Sequence, residues 1–490
     1  MEERYIASID LGSSKFGLCV ARVCQDDVQI VYYKETPSDG IKASIIANPM
    51  KASIPLRAAI EEAEKELMIK ILQVVVGMPR SEVSQVTASA TIKRGQADEY
   101  ISDEEVASLK SIALETYPLS NPESQIMYGA VAQSFSTDSQ ICLTESDVVG
   151  TLSDTLEGNF KVFIGSRRAT TALDKIFNSL QVAVAKKYFL PDVIAKTVLS
   201  ADEMQGGVAL VDIGAGVTSL AIYHDSIMRY YAAIPFGGRA VTQDIRNECS
   251  ISEDLAEKIK KRFGACLPNK LASLSEKVLQ IRLTEPYKEV SVKYISEIVD
   301  CRMREIFDAV LYHIQESGLQ NEIRSGIVLT GGGASLANVN NLMKDMSGYE
   351  VRTGCPKYQF SAVAGNGIYN NPAAAAAVGM VLAAKEDKMP DCVSIPEPEV
   401  KENEETVEVE IQITDNKISD EELSKGETGD LGMDFEKKEP EAQPKETTRK
   451  IRIKREKSDK QPGKLSIFWN TLMDKGKEVG EKVYDFINEE

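Results

Sequence analysis

Two stretches about two hundred residues apart repeat one pattern, and that repeat limits the possible folds more than any other feature of the chain. Residues 5–20 read YIASIDLGSSKFGLCV and residues 207–223 read GVALVDIGAGVTSLAIY. Each gives an alternating strand, an Asp-x-Gly turn and a second strand. Laid over each other without a gap, Asp10 matches Asp212, Gly12 matches Gly214 and Leu18 matches Leu220. A supersecondary unit copied at that distance predicts an α/β protein with two similar lobes. The length of 490 residues leaves room for both lobes and for further subdomains.

The two turns share a chemistry. A Gly two residues after a strand-end Asp lets the backbone approach an anionic ligand closely, and successive N–H groups then face its oxygens. In the first turn the candidates are Asp10, Gly12, Ser13, Ser14 and Lys15; in the second they are Asp212, Gly214, Ala215, Gly216 and Thr218. The hydroxyls and the Lys15 ammonium add donors, and the carboxylates of Asp10 and Asp212 suit a hydrated Mg²⁺. One such turn is usually an ordinary hairpin, whereas two in register are harder to dismiss. A third turn, Gly331, Gly332 and Gly333, follows the apolar run IVLT. It is either bare backbone for a nucleotide base or ribose, or a tight strand-to-helix connection. Gly237 and Gly238 carry the same ambiguity, and Glu257 with Lys260 are either ligand contacts or part of a solvated charged face.

Between the copies, helical periodicity runs over residues 57–72, and the apolar strand QVVVGM follows. Residues 81–165 mix strand alternation with one helix opened by a capping-box pattern, Ser102 with Glu105, and read as an inserted subdomain. After the second copy a charged helix is predicted over 252–263 and a long one over 291–317. The Ala-rich run 372–385 predicts close helix packing and ends the globular part, because the composition then turns acidic.

Lys plus Arg number 57 and Asp plus Glu 75, a net −18 that argues against a nucleic-acid partner. Residues 386–441 hold 20 acidic and 6 basic residues, and residues 445–464 hold 9 basic and 3 acidic. Both blocks are poor in large apolar residues and predict a disordered linker. Beyond it, helical spacing puts Leu465, Phe468, Trp469, Leu472, Val479, Val483 and Phe486 on one face, with Asp474, Glu478, Glu481 and Asp485 opposite. An amphipathic helix behind a basic tract suits an anionic membrane surface; docking on protein is the alternative. Eight Cys without a CxxC pair, and only two His, suggest neither a disulfide framework nor a zinc site. The first residues show no signal-peptide pattern, and no apolar run is long enough to span a bilayer.

These residues together resemble the actin, Hsp70 and sugar-kinase ATPase superfamily, and more fully the FtsA family of actin-like bacterial cell-division proteins. The resemblance is carried by GVALVDIGAGVTSLAIY, IPFGGRAVTQDIRNE, AEKIKKRFGACL, SEIVDCRMREIFDAV and GIVLTGGGASLANV, and in the insertion by ISDEEV and VVGTLSDTLEGNFKVFIG. It spans roughly residues 4–385 and implies a duplicated actin-like (ribonuclease H-like) two-lobed ATPase fold. The implied parts are a 1A-like lobe (1–81 and 166–206), an inserted 1C-like subdomain (82–165) and a 2A-like lobe (207–236 and 326–385). A 2B-like subdomain (237–325), a disordered linker (386–463) and an amphipathic membrane-targeting helix (464–490) complete it.

The resemblance further implies ATP and Mg²⁺ bound between the lobes through the residues named above, and self-assembly into filaments. Its implied partners are the C-terminal tail of FtsZ, other division proteins at the 1C-like subdomain, and the cytoplasmic side of the inner membrane at the division site. Arg302 resembles the family's arginine on the lobe that meets FtsZ or a neighbouring copy, with Lys293 nine residues earlier. The plainer alternative ties Arg302 to Asp300 or Glu305 within its own helix. Two departures predict slow or absent hydrolysis. The second turn continues Gly216-Val217-Thr218-Ser219 where the family often has Gly-Thr-Thr-Asp, and Leu190 precedes Pro191 where filament ATPases carry a water-positioning Glu. The rival readings are an actin-like membrane scaffold of another machine, as PilM is in type IV pili, and a soluble actin-fold kinase.

Overall fold

The two copies of the repeat become the central hairpins of two sheets in the computed structural model, which describes residues 3–95, 98–270, 277–281, 288–357, 360–363 and 367–395. In the first copy Glu3–Leu11 pairs antiparallel with Lys15–Cys24, and Asp10 stands opposite Gly17. In the second, Val208–Ile213 pairs with Thr218–His224, and Asp212 stands opposite Ser219. Sequence register and structural register therefore coincide. Each hairpin adds an antiparallel strand on one side, Asp27–Pro37 or Ile227–Ile234. On its other side lies a parallel strand, Gln73–Gly77 or Ile327–Thr330. A further parallel strand follows in each, Ala183–Tyr188 or Val351–Thr353.

Strands covered on both faces read as unbroken apolar runs, and all six residues of Val208–Ile213 are buried. One hydrophobic cluster joins Ile6, Cys19 and Val75 of the first sheet to Leu210, Ala221 and Val328 of the second. The helices Leu190–Val198 and Ala375–Glu386 lie in that cluster. The Ala-rich helix approaches closely, as its composition predicts. Ser8 Oγ donates to the Ala377 carbonyl at 2.8 Å, and a Cβ on Gly379 would stand 2.6 Å from Val193 O. A second cluster packs the helices Gly238–Cys249, Glu253–Phe263 and Val292–Glu316 through Val241, Ile259, Met303 and Phe307.

The segment between Gly77 and the helix Arg167–Leu180 forms its own three-stranded sheet, with Thr155–Ser166 between Ser84–Lys93 and Gln125–Thr137. The helix Asp103–Thr116 covers it with Val106, Leu109 and Ala113. Its capping box is formed: Ser102 Oγ accepts from Glu105 N at 3.2 Å, and Glu105 Oε2 accepts from Ser102 N at 2.9 Å.

Two expectations shift. The helix expected over 57–72 runs instead over Pro49–Leu67, because Asn48 caps its start and Met68 closes it in the left-handed region (φ 55°). Residues 386–395, expected to open the linker, are instead held on the fold. Cys392 and Val393 are buried, Val393 pairs with Ile71, and the Asp391 carboxylate accepts from Tyr5 N at 3.1 Å. The apolar pair Cys392-Val393 within an acidic stretch is what holds this segment on the fold. The rest of the expected linker and the whole of the expected amphipathic helix, Leu465, Phe468, Trp469, Leu472, Val479, Val483 and Phe486 included, lie outside the described residues. Among the described residues no helix is long and apolar enough to cross a membrane.

Candidate functional site

The strand-end turns of the two sheets face one another. In the first, Gly12 N donates to Lys15 O at 3.1 Å; in the second, Gly214 N donates to Val217 O at 2.9 Å. A Cβ would stand 2.5 Å from Lys15 O on Gly12 and 2.7 Å from Val217 O on Gly214, so both turns require glycine for their own closure. They also abut: a Cβ on Gly216 would lie 2.7 Å from Ser13 Oγ and 2.9 Å from the backbone of Ala43.

Around this junction the donors are unevenly free. Ser14 is exposed, whereas buried Ser13 accepts from Ser44 N at 2.9 Å. Lys15 is paired with Glu35 at 2.5 Å. Burial alone would raise the Glu35 carboxyl, but the Lys15 ammonium, with Asn371 and Tyr33 donating, holds it below the usual carboxylate range. Thr218, expected to offer its hydroxyl to a ligand, is fully buried and donates to Phe236 O at 2.9 Å instead. The carbonyls of Gly214 and Ala215 accept from Gly238 N and Arg239 N at 2.9 and 2.7 Å, so the Gly237–Gly238 turn buttresses the second phosphate-type turn. A Cβ on Gly237 would fall 2.2 Å from Gly214 O.

Lys260 is not part of a solvated face. It is buried and donates to Gly238 O and Thr242 Oγ1, each at 2.9 Å, with Glu257 at 2.6 Å. All three ammonium donors are thus spent within the protein, and burial pushes the group below its ordinary value against the pull of Glu257. The third glycine turn divides. Gly331 has φ 81° and a Cβ there would stand 2.2 Å from Asp212 Oδ1, and a Cβ on Gly333 would stand 2.3 Å from the Ile213 side chain. Gly332 borders open space, with nothing within 4 Å of its would-be Cβ.

Sequence reasoning missed the residue at the centre. Arg80 donates through Nη1 to Asp212 and through Nη2 to Asp10 at 3.1 and 3.4 Å. Burial would weaken its charge, but the carboxylates of Asp212 and Asp10 more than restore it and hold the guanidinium above its ordinary range. The two carboxylates expected to share a hydrated Mg²⁺ therefore share an arginine, and as arranged they do not fit the metal. Among the described residues no group of three or more His, Cys, Asp or Glu is arranged to hold one. The signal for Arg80 was its place just past the strand Gln73–Gly77, whose end lies beside that of Asp10's strand. Leu190 is buried and lines the same small cleft with Asp10, Ser44 and Arg80, an apolar group that offers no acceptor to a water.

Arg302 lies on the helix Val292–Glu316, away from this cleft in sequence and in fold element. It grips Asp244 with two bonds, 2.6 and 3.0 Å, and Glu305 at 2.5 Å. Asp300, the other expected partner, instead accepts from Leu267 N at 2.8 Å and Arg304 Nε at 2.7 Å. Lys293 faces Glu297 at 4.0 Å.

The sequence model of the family described as "Cell division protein FtsA" matches residues 209–379, the span that holds the second turn, the Gly237–Gly238 turn and the third glycine turn. Cell division protein FtsA of Neisseria meningitidis is 28% identical over 366 residues, 73% of this chain and 85% of that protein. FtsA of Borreliella burgdorferi is 29% identical over 397 residues, 79% of this chain and 92% of that protein. The chain is similar to FtsA proteins over most of its length. Its fold is also similar to a solved structure titled "PilM-PilN type IV pilus biogenesis complex", with a TM-score of 0.54 and 14% identity over 77% of this chain and 98% of that one. That likeness carries the actin-like fold alone.

Proposed function

We propose that this FtsA-like chain binds ATP between its two lobes, polymerises, and ties FtsZ to the cytoplasmic face of the inner membrane during division. The observation that carries the nucleotide part is the pair of Asp-Gly turns, identical in register and set face to face at strand ends, where α/β folds bind ligands. Exposed Ser14 and the open face of Gly332 offer the ligand a donor and a bare backbone surface. The division part rests on the FtsA relatives, and the membrane part on the amphipathic pattern from Leu465 to Phe486. Self-assembly and FtsZ-tail binding are proposed at the face carrying Arg302 and Lys293. Leu190 supports slow turnover. A kinase would need a carboxylate base facing its acceptor, and Leu190 supplies none.

Gly332→Val tests the nucleotide site without disturbing the turn, because its side chain enters open space. A fluorescent ATP analogue is expected to bind the variant about tenfold or more weakly, at an unchanged melting temperature. Equal binding would remove Gly332 from the site.

A further inference from the structure

We infer that the hairpin of residues 41–46 is a built-in plug of the cleft, whose tip lies on both phosphate-type turns and has to be displaced by an arriving nucleotide. The inference rests on reading the cleft as a nucleotide site. Ile41–Lys42 pairs with Ile45–Ile46, and the two-residue turn between them, Ala43 and Ser44, brings three parts of the cleft together. Ser44 N donates to Ser13 Oγ at 2.9 Å in the first turn, and Ser44 Oγ accepts from Arg80 N at 3.1 Å. On the other side the Ala43 backbone lies against the second turn, where a Cβ on Gly216 would come within 2.9 Å of its Cα and N. The tip thus takes up the Ser13 hydroxyl and covers the Gly216 backbone, two of the groups that the repeat offers to an anionic ligand. A phosphate group seated on both turns would need the space that the tip fills.

The tip is held by its contacts rather than by its own preference. Ala43 has φ 47° and Ser44 has φ 61°, the positive pair that a type I′ hairpin turn demands and that Asn-Gly or Gly-Gly supplies without strain. Ala and Ser each carry a Cβ into this region, so the turn is strained and relaxes once its contacts are lost. The stem stays in place. Ile41 and Ile46 are buried in one cluster with Leu56, Leu173 and Phe177, and Gly40 O accepts from Ala47 N and Asn48 N, each at 2.9 Å, closing the base. Residues 42–45 lie outside that core, Lys42 exposed and the other three partly buried, so the tip moves without drawing a buried apolar group into water.

Two variants of the full chain shift the plug in opposite directions, and stopped-flow binding of a fluorescent ATP analogue reads them. Ser44→Pro removes the N–H that meets Ser13 and fixes φ near about −65°, so the closed tip cannot form. Ala43→Gly keeps every bond of the tip and relieves a positive φ, so the closed tip is favoured. Association is expected to be about tenfold faster in Ser44→Pro and about threefold slower in Ala43→Gly than in the parent, because only the open fraction binds. Dissociation is expected to be the same in all three, since the tip is already aside while the ligand is bound. Equal association rates overturn the inference and leave ATP binding intact; a change confined to dissociation, which would mark damage to the site itself, overturns it too. If Ser44→Pro melts early, Ala43→Gly decides alone, and association as fast as the parent's or faster overturns the inference. Binding by Ser44→Pro where the parent binds nothing upholds the plug. No binding by either refutes the proposed function, and the inference falls with it.

Discussion

At Glu203 one carboxylate closes a helix and ties it to a strand 149 residues further on. It accepts from Ser200 N at 2.7 Å, capping Ala201–Gly206, and from Arg352 at 2.6 and 2.7 Å. Burial alone would raise this carboxyl, but the Arg352 guanidinium and the Ser200 amide bring it from an ordinary 4.5 down to about 2. A folded value below the unfolded one means stability that is complete above about pH 4.5 and drains away as pH falls toward 2. Glu203→Gln should therefore lower the melting temperature at neutral pH, by an amount equivalent to ~1–3 kcal/mol. The gap to the parent should shrink near pH 3, and melts at both pH values check it; a gap of the same size would show that the carboxylate charge is not the cause. Such pairings explain what the sequence hid. Asp10, Gly12, Asp212 and Gly214 were legible because a turn's chemistry is local. The partners Arg80 and Arg352 depend on which strands lie side by side, and strand order is not written within a short window.

Among the elements, the helix Ala375–Glu386 shows the reverse case, one where composition foretold the packing. Its run of small residues lets it lie against Leu190–Val198, with Gly379 over the Val193 carbonyl and Thr197. Gly379→Val would place carbon atoms where a Cβ already comes within 2.6 Å of backbone oxygen, and that oxygen has no side-chain freedom with which to yield. A loss of ~1–3 kcal/mol or more is expected from such overpacking, seen as a lower urea midpoint. An unchanged midpoint would mean that the two helices can separate at no cost. Helix starts were read well where a side chain marked them, as Ser102 and Ser252 do. The start at Pro49 was missed, although Asn48 and Pro49 form a recognised opening signal, because the charged periodicity beyond Arg57 drew the boundary inward.

For the whole molecule, attachment and binding are expected to be separable. Replacing Phe468 and Trp469 together by Asp removes two large apolar groups, each worth ~1.5–3 kcal/mol when fully buried, from the proposed membrane face. The double variant should stay in the supernatant with anionic vesicles while binding ATP as the parent does; equal pelleting would mean that the helix docks on protein. Many copies in a filament would strengthen attachment through avidity alone. Pulling on such a tether has a mechanical side. The last described residues do not hang from a peripheral loop: Asp391 grips Tyr5 N, Cys392 N donates to Tyr5 O at 2.8 Å, and Val393 pairs with Ile71. Tension arriving from beyond residue 395 would thus enter the fold at the strand Glu3–Leu11, which carries Asp10 five residues after Tyr5. The load path and the proposed nucleotide cleft share a beam, so a tug at the membrane would be felt at the carboxylate that Arg80 holds.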